Sequence, residues 1–249
     1  MKRIMTVILL SLALSVAAFA QEAKPKPAEA MPTADQIIEK YVQAMGGKAA
    51  IEKLNSRTTK GTLDIPSVGM SGSVETYEKA PNKWISIANV AGFGSVQTAY
   101  DGTKGWSDHP ALGLRDLAGV ELANTKLEAE FHKAIKLKQL YPTITVKGKE
   151  KVGDKDAYLL EATPKEGTAE KWYFDAQTGL LIRTDAVQDT PEGQIPNEIY
   201  FDEYKEVDGV KVPVAMRISN PMFVINIKTQ EVKHNVPVDD AKFNKPAAK

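Results

Sequence analysis

The fold is decided by five runs in the C-terminal half of the chain: Lys171-Trp-Tyr-Phe-Asp175, Leu180-Leu-Ile-Arg-Thr184, Asn197-Glu-Ile-Tyr-Phe-Asp-Glu-Tyr204, Val210-Lys-Val-Pro-Val-Ala-Met-Arg-Ile218 and Met222-Phe-Val-Ile-Asn-Ile-Lys228. Between them lie Ala176-Gln-Thr-Gly179, a polar connection from Gln188 to Pro196, Val207-Asp-Gly209 and Asn220-Pro221. Runs of β-branched and aromatic residues broken by Asp, Gly, Asn and Pro predict consecutive antiparallel strands joined by hairpins.

The same period of two appears upstream. Arg57–Ile65, Val68–Lys79, Lys83–Val90, Ser95–Tyr100 and a short run at Gly105–Ser107 read as strands. Trp84, Ser86, Ala88 and Val90 share one face, and Ile85, Ile87 and Asn89 the other, so both sides of the sheet are expected to be covered in part. Thr143–Val152 and Ala157–Thr163 predict a hairpin about Gly153-Asp154. Helices are expected in two regions. Thr33 or Asp35 caps the first, where Ile37, Ile38, Tyr41, Val42 and Met45 recur at helical spacing until Gly46-Gly47 ends it, and Ala49–Leu54 adds a short turn. A single long helix from Val120 to Leu140, after a loop at His109–Gly119, carries Leu127, Phe131, Ala134 and Ile135 in a stripe. The expected class is α+β, with about ten or eleven strands. Twist accumulates in so long an antiparallel sheet, so it should curve strongly, with the helices covering its concave face.

The chain has 249 residues and no cysteine, and its 32 basic residues balance 32 acidic ones. Disulfides, thiolate metal sites and a lipid-bearing cysteine are excluded, and no basic patch points to nucleic acid. Residues 1–20 read as a signal peptide: Lys2 and Arg3, an apolar run Ile4–Val16, then Ala18-Phe-Ala20, with cleavage after Ala20. Residues 21–32, rich in Lys, Pro, Ala and Glu, read as a flexible leader, and 33–245 as a single domain. A periplasmic location follows, with no membrane span left after cleavage.

No catalytic constellation stands out. His109, His132 and His234 lack metal-ligand spacing, so no metal is expected. Asp175, Asp202 and Asp239-Asp240 sit at strand ends or turns, without a marked nucleophile or base. The expectation is a protein that is not an enzyme and needs no cofactor.

The runs Trp172-Tyr-Phe-Asp175, Thr178-Gly-Leu-Leu-Ile-Arg183, Tyr200-Phe-Asp-Glu-Tyr204, Asp208-Gly-Val-Lys-Val-Pro213 and Asn235-Val-Pro-Val-Asp-Asp-Ala-Lys-Phe243 resemble the LolA/LolB-like superfamily, and within it the exported proteins called outer-membrane lipoprotein-sorting-like. So does the opening Ala34-Asp-Gln-Ile-Ile-Glu-Lys-Tyr-Val-Gln-Ala-Met-Gly-Gly47. The resemblance implies an incomplete β-barrel lidded by helices. It implies a carrier that holds a lipid, or the acyl chains of a lipidated protein, in a hydrophobic cavity, with envelope proteins as further partners. Candidate lining residues are Trp84, Trp106, Tyr158, Trp172, Phe174, Tyr200, Met216 and Phe223, with Leu112, Leu114, Phe131 and Ile135 contributed by the lid. Core packing and cross-strand pairing are the alternative use of the same aromatics. The alternative function is an envelope scaffold or interaction module whose barrel is filled by its own side chains.

Overall fold

The computed structural model describes residues 30–190 and 193–247. The expected signal peptide, and the leader up to residue 29, lie outside the described residues. Among the described residues, one sheet contains thirteen strands. In chain order these are β1 (Ser56–Ile65), β2 (Met70–Lys79), β3 (Lys83–Val90), β4 (Gly94–Tyr100), β5 (Gly105–His109), β6 (Gly113–Asp116), β7 (Thr143–Val152), β8 (Lys155–Thr163), β9 (Glu170–Asp175), β10 (Leu181–Thr190), β11 (Gly193–Val207), β12 (Val210–Ser219) and β13 (Val224–His234). Their order across the sheet is β6-β5-β4-β3-β2-β1-β13-β12-β11-β10-β9-β8-β7. All neighbours run antiparallel, and the one long-range pairing joins β1 to β13, Arg57 opposite His234 and Leu63 opposite Ile227. The two edges, β6 and β7, do not pair, so the barrel is incomplete.

Among the described residues, four α-helices accompany the sheet: α1 (Ala34–Ala44), α2 (Lys48–Glu52), α3 (Gly119–Glu128) and α4 (Lys133–Leu140). The ten-residue α3 touches β4 and β5 and also β10. A helix of that length spans about 15 Å. Eight strand spacings separate β5 from β10, about 38 Å if the sheet were flat. Only a tightly curled sheet brings both within reach of one helix, so the helix-bearing face is the concave one. Gly61 and Gly72, both on that face, show how close the strands come. A Cβ at Gly61 would lie 2.3 Å from the Lys228 carbonyl oxygen, beside the β-bulge at Lys60/Gly61, and one at Gly72 would lie 1.9 Å from that of Asn89.

The N-terminal helices close one end of the resulting trough. Lys211 N donates to Met45 O (2.9 Å) at the β11–β12 turn, and Lys40 Nζ donates to Ala176 O (2.8 Å) at the β9–β10 turn. Thr33 starts α1 with a reciprocal cap: Gln36 N donates to Thr33 Oγ1 (3.3 Å) while Thr33 N donates to Gln36 Oε1 (2.9 Å). Thr33→Ala is expected to cost about 1 kcal/mol of stability, read from the denaturant midpoint.

The sequence reading is corrected in three places. The long helix breaks at Ala129–His132 because Phe131 N donates to Pro81 O (3.1 Å) in the β2–β3 turn, not to the carbonyl one turn back. The loop at His109–Gly119 contains β6, whose Arg115 guanidinium pairs with Glu121 (2.6 and 2.7 Å). The polar connection Gln188–Pro196 is largely strand, with Val187 opposite Pro196 and Thr190 opposite Gly193. Pro196 is tolerated there because β12 pairs with β11 only from Glu198 onward, which leaves an edge. Of these, β6 is a new strand and the connection lengthens β10 and β11; the sheet has thirteen strands where ten or eleven were expected.

Candidate functional site: a half-lidded trough

Strand register fixes which side chains face inward. Arg57, Glu78, Trp84 and Tyr100 lie opposite one another on β1 to β4, on the helix side. Stepping four residues along each strand gives Gly61, Val74, Ala88 and Val96 on the same face. Across β11, β12, β13 and β1, the inward row is Phe201, Met216, Ile227 and Leu63, with Ile199, Ile218 and Ile225 beside it. Outward neighbours toward the open end of β1, β2 and β13 are polar: Thr62, Ser71, Ser73, Asn226 and Lys228, all exposed. This is the alternation of a one-sided antiparallel sheet.

The trough has two halves of different character. The helix-closed half is packed solid. Ile37, Ile38, Tyr41 and Val42 of α1 and Leu137 of α4 meet Leu160, Trp172, Phe174, Val210 and Val212. Trp172 lies edge-on to Tyr141 (4.7 Å between centroids), and Tyr41 leans on Phe174 (5.2 Å). Most polar atoms buried here find partners, His234 Nε2 excepted. Glu170 accepts from Tyr141 Oη (2.6 Å) and Trp172 Nε1 (2.7 Å), with Lys133 Nζ 4.0 Å away. Burial works against the Lys133 charge, but Glu170 and Glu128 outweigh it and hold its pKa above the ordinary value. Burial lifts the Tyr41 hydroxyl to about 12. Arg57 and Glu78 form a two-point ion pair.

The other half has no such cover. Met216, Ile218, Ile225, Ile227, Ile199 and Phe201 are all half-buried and belong to none of the packed cores. An aliphatic face of this extent, open to water, is what an apolar ligand would cover. A separate cavity of about 250 Å³ lies over the upper ends of β9 to β11, bordered by Glu170, Lys171, Asp185, Ala186, Pro196 and Glu198. It is smaller than the ~300–1,000 Å³ of a typical small-molecule site, and five charged side chains, Glu161, Glu170, Lys171, Asp185 and Glu198, are among those around it. The aliphatic face is therefore the stronger candidate.

The predicted site residues are not brought together. Phe131, Ile135, Tyr158, Trp172 and Phe174 join the helix-side core. Trp84 and Met216 face inward, Met216 in the uncovered half. Trp106 and Leu114 pack on the outer face with Ile85, Val238 and Phe243. Tyr200 also faces outward, under the Arg217 guanidinium (3.8 Å to the ring centre). Leu112 is exposed in the β5–β6 turn, and Phe223 is half-buried in the β12–β13 turn. The aliphatic row of Ile199, Ile218, Ile225 and Ile227 was missed. The alternation Ile225-Asn-Ile-Lys228, apolar against charged or amide, was the signal that would have found it.

Of the histidines, His132 Nε2 lies 3.0 Å from Leu54 O, and His234 Nδ1 lies 3.1 Å from Asp208 Oδ2. Among the described residues, no three His, Asp or Glu side chains are grouped to hold a metal ion. Burial lowers the His234 pKa below its ordinary 6.5, and although Asp208 opposes the shift, Arg57 adds to it. The neutral ring is thus the native form. Its stabilisation is complete above about pH 6.5 and is lost as pH falls through the lower folded value. Denaturant midpoints between pH 7.5 and 4.5 should decline on the acid side, and His234→Asn should flatten the upper part of that decline.

Comparison with solved structures places this architecture. A DUF1329 family protein from Desulfovibrio piger superposes with a TM-score of 0.57 at 17% identity, over 86% of this chain and 98% of that one. A LolA superfamily protein from Nitrosomonas europaea gives 0.56 at 14% identity, over 86% and 99%. The chain has the LolA-like fold. A domain from Vibrio parahaemolyticus named for outer membrane lipoprotein sorting gives 0.54 at 14% identity, over 84% and 97%. No family model matches the sequence, and no curated protein matches it. The LolA-like fold here thus rests on shape, with its helix-filled half and its open half.

Proposed function

We propose that the protein is a non-enzymatic carrier that holds a lipid, or the acyl chains of a lipidated protein, against the uncovered aliphatic half of the trough. The observation that carries this reading is that Phe201, Met216 and Ile227 of the inward row stay half-buried and outside the packed cores, although exposed polar residues occupy the outer face of β13 beside them. Each buried methylene contributes about 0.8 kcal/mol, so about eight methylenes supply roughly 6 kcal/mol before the cost of ordering the chain. The structural relatives named for LolA and lipoprotein sorting support the same reading. Export to the periplasm is part of it, supported by the N-terminal sequence; no described helix is long and apolar enough to cross a membrane.

The test is titration with a fluorescent fatty-acyl probe, together with native mass spectrometry of protein purified from its own envelope. Saturable uptake and a co-purified lipid are expected. Absence of both would leave the scaffold reading, which the solid packing of Trp172, Phe174 and Tyr141 in the closed half favours.

A further inference from the structure

Four exposed apolar side chains stand along the open end of the trough. Met222 (62% exposed) is in the β12–β13 turn, Val68 (59%) in β1–β2, Phe93 (41%) in β3–β4 and Leu112 (41%) in β5–β6. These four hairpins are consecutive across the sheet, and the antiparallel order puts all four turns at the same end, opposite α1. The tips carry no charged residue: Pro66-Ser-Val-Gly69, Ala91-Gly-Phe93, Pro110-Ala-Leu112 and Asn220-Pro-Met-Phe223. The turns at the helix-closed end are charged instead, with Lys79 and Lys83 about one, Asp101 and Lys104 in the next, Asp154 and Lys155, and Asp208. A water-facing turn gains nothing in folding from a large apolar side chain, and the uncharged, apolar character belongs to these four neighbouring hairpins, since the β8–β9 turn at the same end carries Lys165 and Glu166.

We infer that this rim docks on a lipid bilayer surface, with the four tips seated in the interfacial region. A fluid interface accepts separate apolar tips without a matching set of pockets, which a folded protein partner would have to supply. Several tips are flanked by glycines facing open space, Gly69, Gly92 and Gly113, and the β3–β4 and β5–β6 tips lean together, Phe93 edge-on to His109 (5.4 Å between ring centres). Uncharged tips make the contact apolar, so it should hold on neutral lipid and change little with salt. Docked this way, the aliphatic rows of the trough open toward the membrane, where an acyl ligand would enter or leave. The inference extends the carrier reading but rests on the rim, so either can fail alone.

The experiment is flotation of the protein with phosphatidylcholine vesicles at about 0.1 M and about 0.5 M salt, for wild type and for the combined variant V68S/F93S/L112S/M222S, with acyl-probe affinity and thermal melting measured in parallel. Wild type should float at both salt concentrations. The variant should lose about tenfold or more of its partitioning with probe affinity and melting unchanged. Wild type that stays with the soluble fraction would overturn the inference. So would a variant that floats like wild type, or binding confined to anionic vesicles and lost at the higher salt. A wild-type dimer that the variant breaks into monomers, without flotation, would instead assign the rim to contact between copies of this chain.

Discussion

Met216→Asp is expected to abolish uptake of an acyl probe while the fold stays in place. Met216 sits in the middle of the inward row, between Phe201 on β11 and Ile227 on β13. It is half-buried, so in the unliganded protein a carboxylate there keeps part of its water. A bound acyl chain would strip that water away, and an unpaired charge against hydrocarbon is costly. A penalty of about 3 kcal/mol corresponds to more than a hundredfold loss of affinity. Two controls give the result its meaning. Met216→Leu conserves volume and polarity and should change affinity little. Asn226→Asp introduces the same charge one residue from Ile227, on the exposed outer face, and should leave binding untouched. Equal loss in both aspartate variants would point to a general electrostatic effect, and no loss in Met216→Asp would place any bound lipid elsewhere.

The sheet was legible because its information is local. Asp-Gly, Asn-Pro and Thr-Gly turns between β-branched runs are read from a few residues at a time, and the hairpins they predict, such as Val207 opposite Val210, are present. The helix break was not legible, since the partner that takes the Phe131 N–H is Pro81, fifty positions earlier in the chain. The open site was obscured for a related reason. Aromatic side chains draw the eye as ligand contacts, yet Trp172 and Phe174 spend their area on α1 and α4. Ile218 and Ile227 look in sequence like ordinary strand residues. What singles them out is that both stay half-buried and outside the packed cores, a tertiary fact that no strand pattern records. Phe243 is the single aromatic in the sequence after β13, and no local pattern names the tryptophan that receives it.

That pairing carries the largest expected change in stability. Trp106 is 2% exposed and Phe243 fully buried, and the two pack on the outer face with Ile85, Ala99 and Val238. Trp106 Nε1 also donates to Phe243 O (2.8 Å), which fixes the C-terminal segment across β3 to β5. Trp106→Ala empties the centre of this cluster and should cost about 3–5 kcal/mol. Trp106→Phe keeps a ring but strands the buried Phe243 carbonyl, for about 1–2 kcal/mol. The surface ion pairs of the same segment, Asp240 with Lys79 (2.8 Å) and Lys83 (3.0 Å), are solvated, so Asp240→Asn should leave the midpoint close to that of wild type. Equilibrium denaturation would rank the three substitutions in that order. Because Trp106 faces away from the trough, acyl-probe affinity measured well below the unfolding transition should be the same in Trp106→Phe as in wild type. A stable Trp106→Phe protein that no longer bound the probe would mean that the outer face, and not the aliphatic row within, meets the ligand.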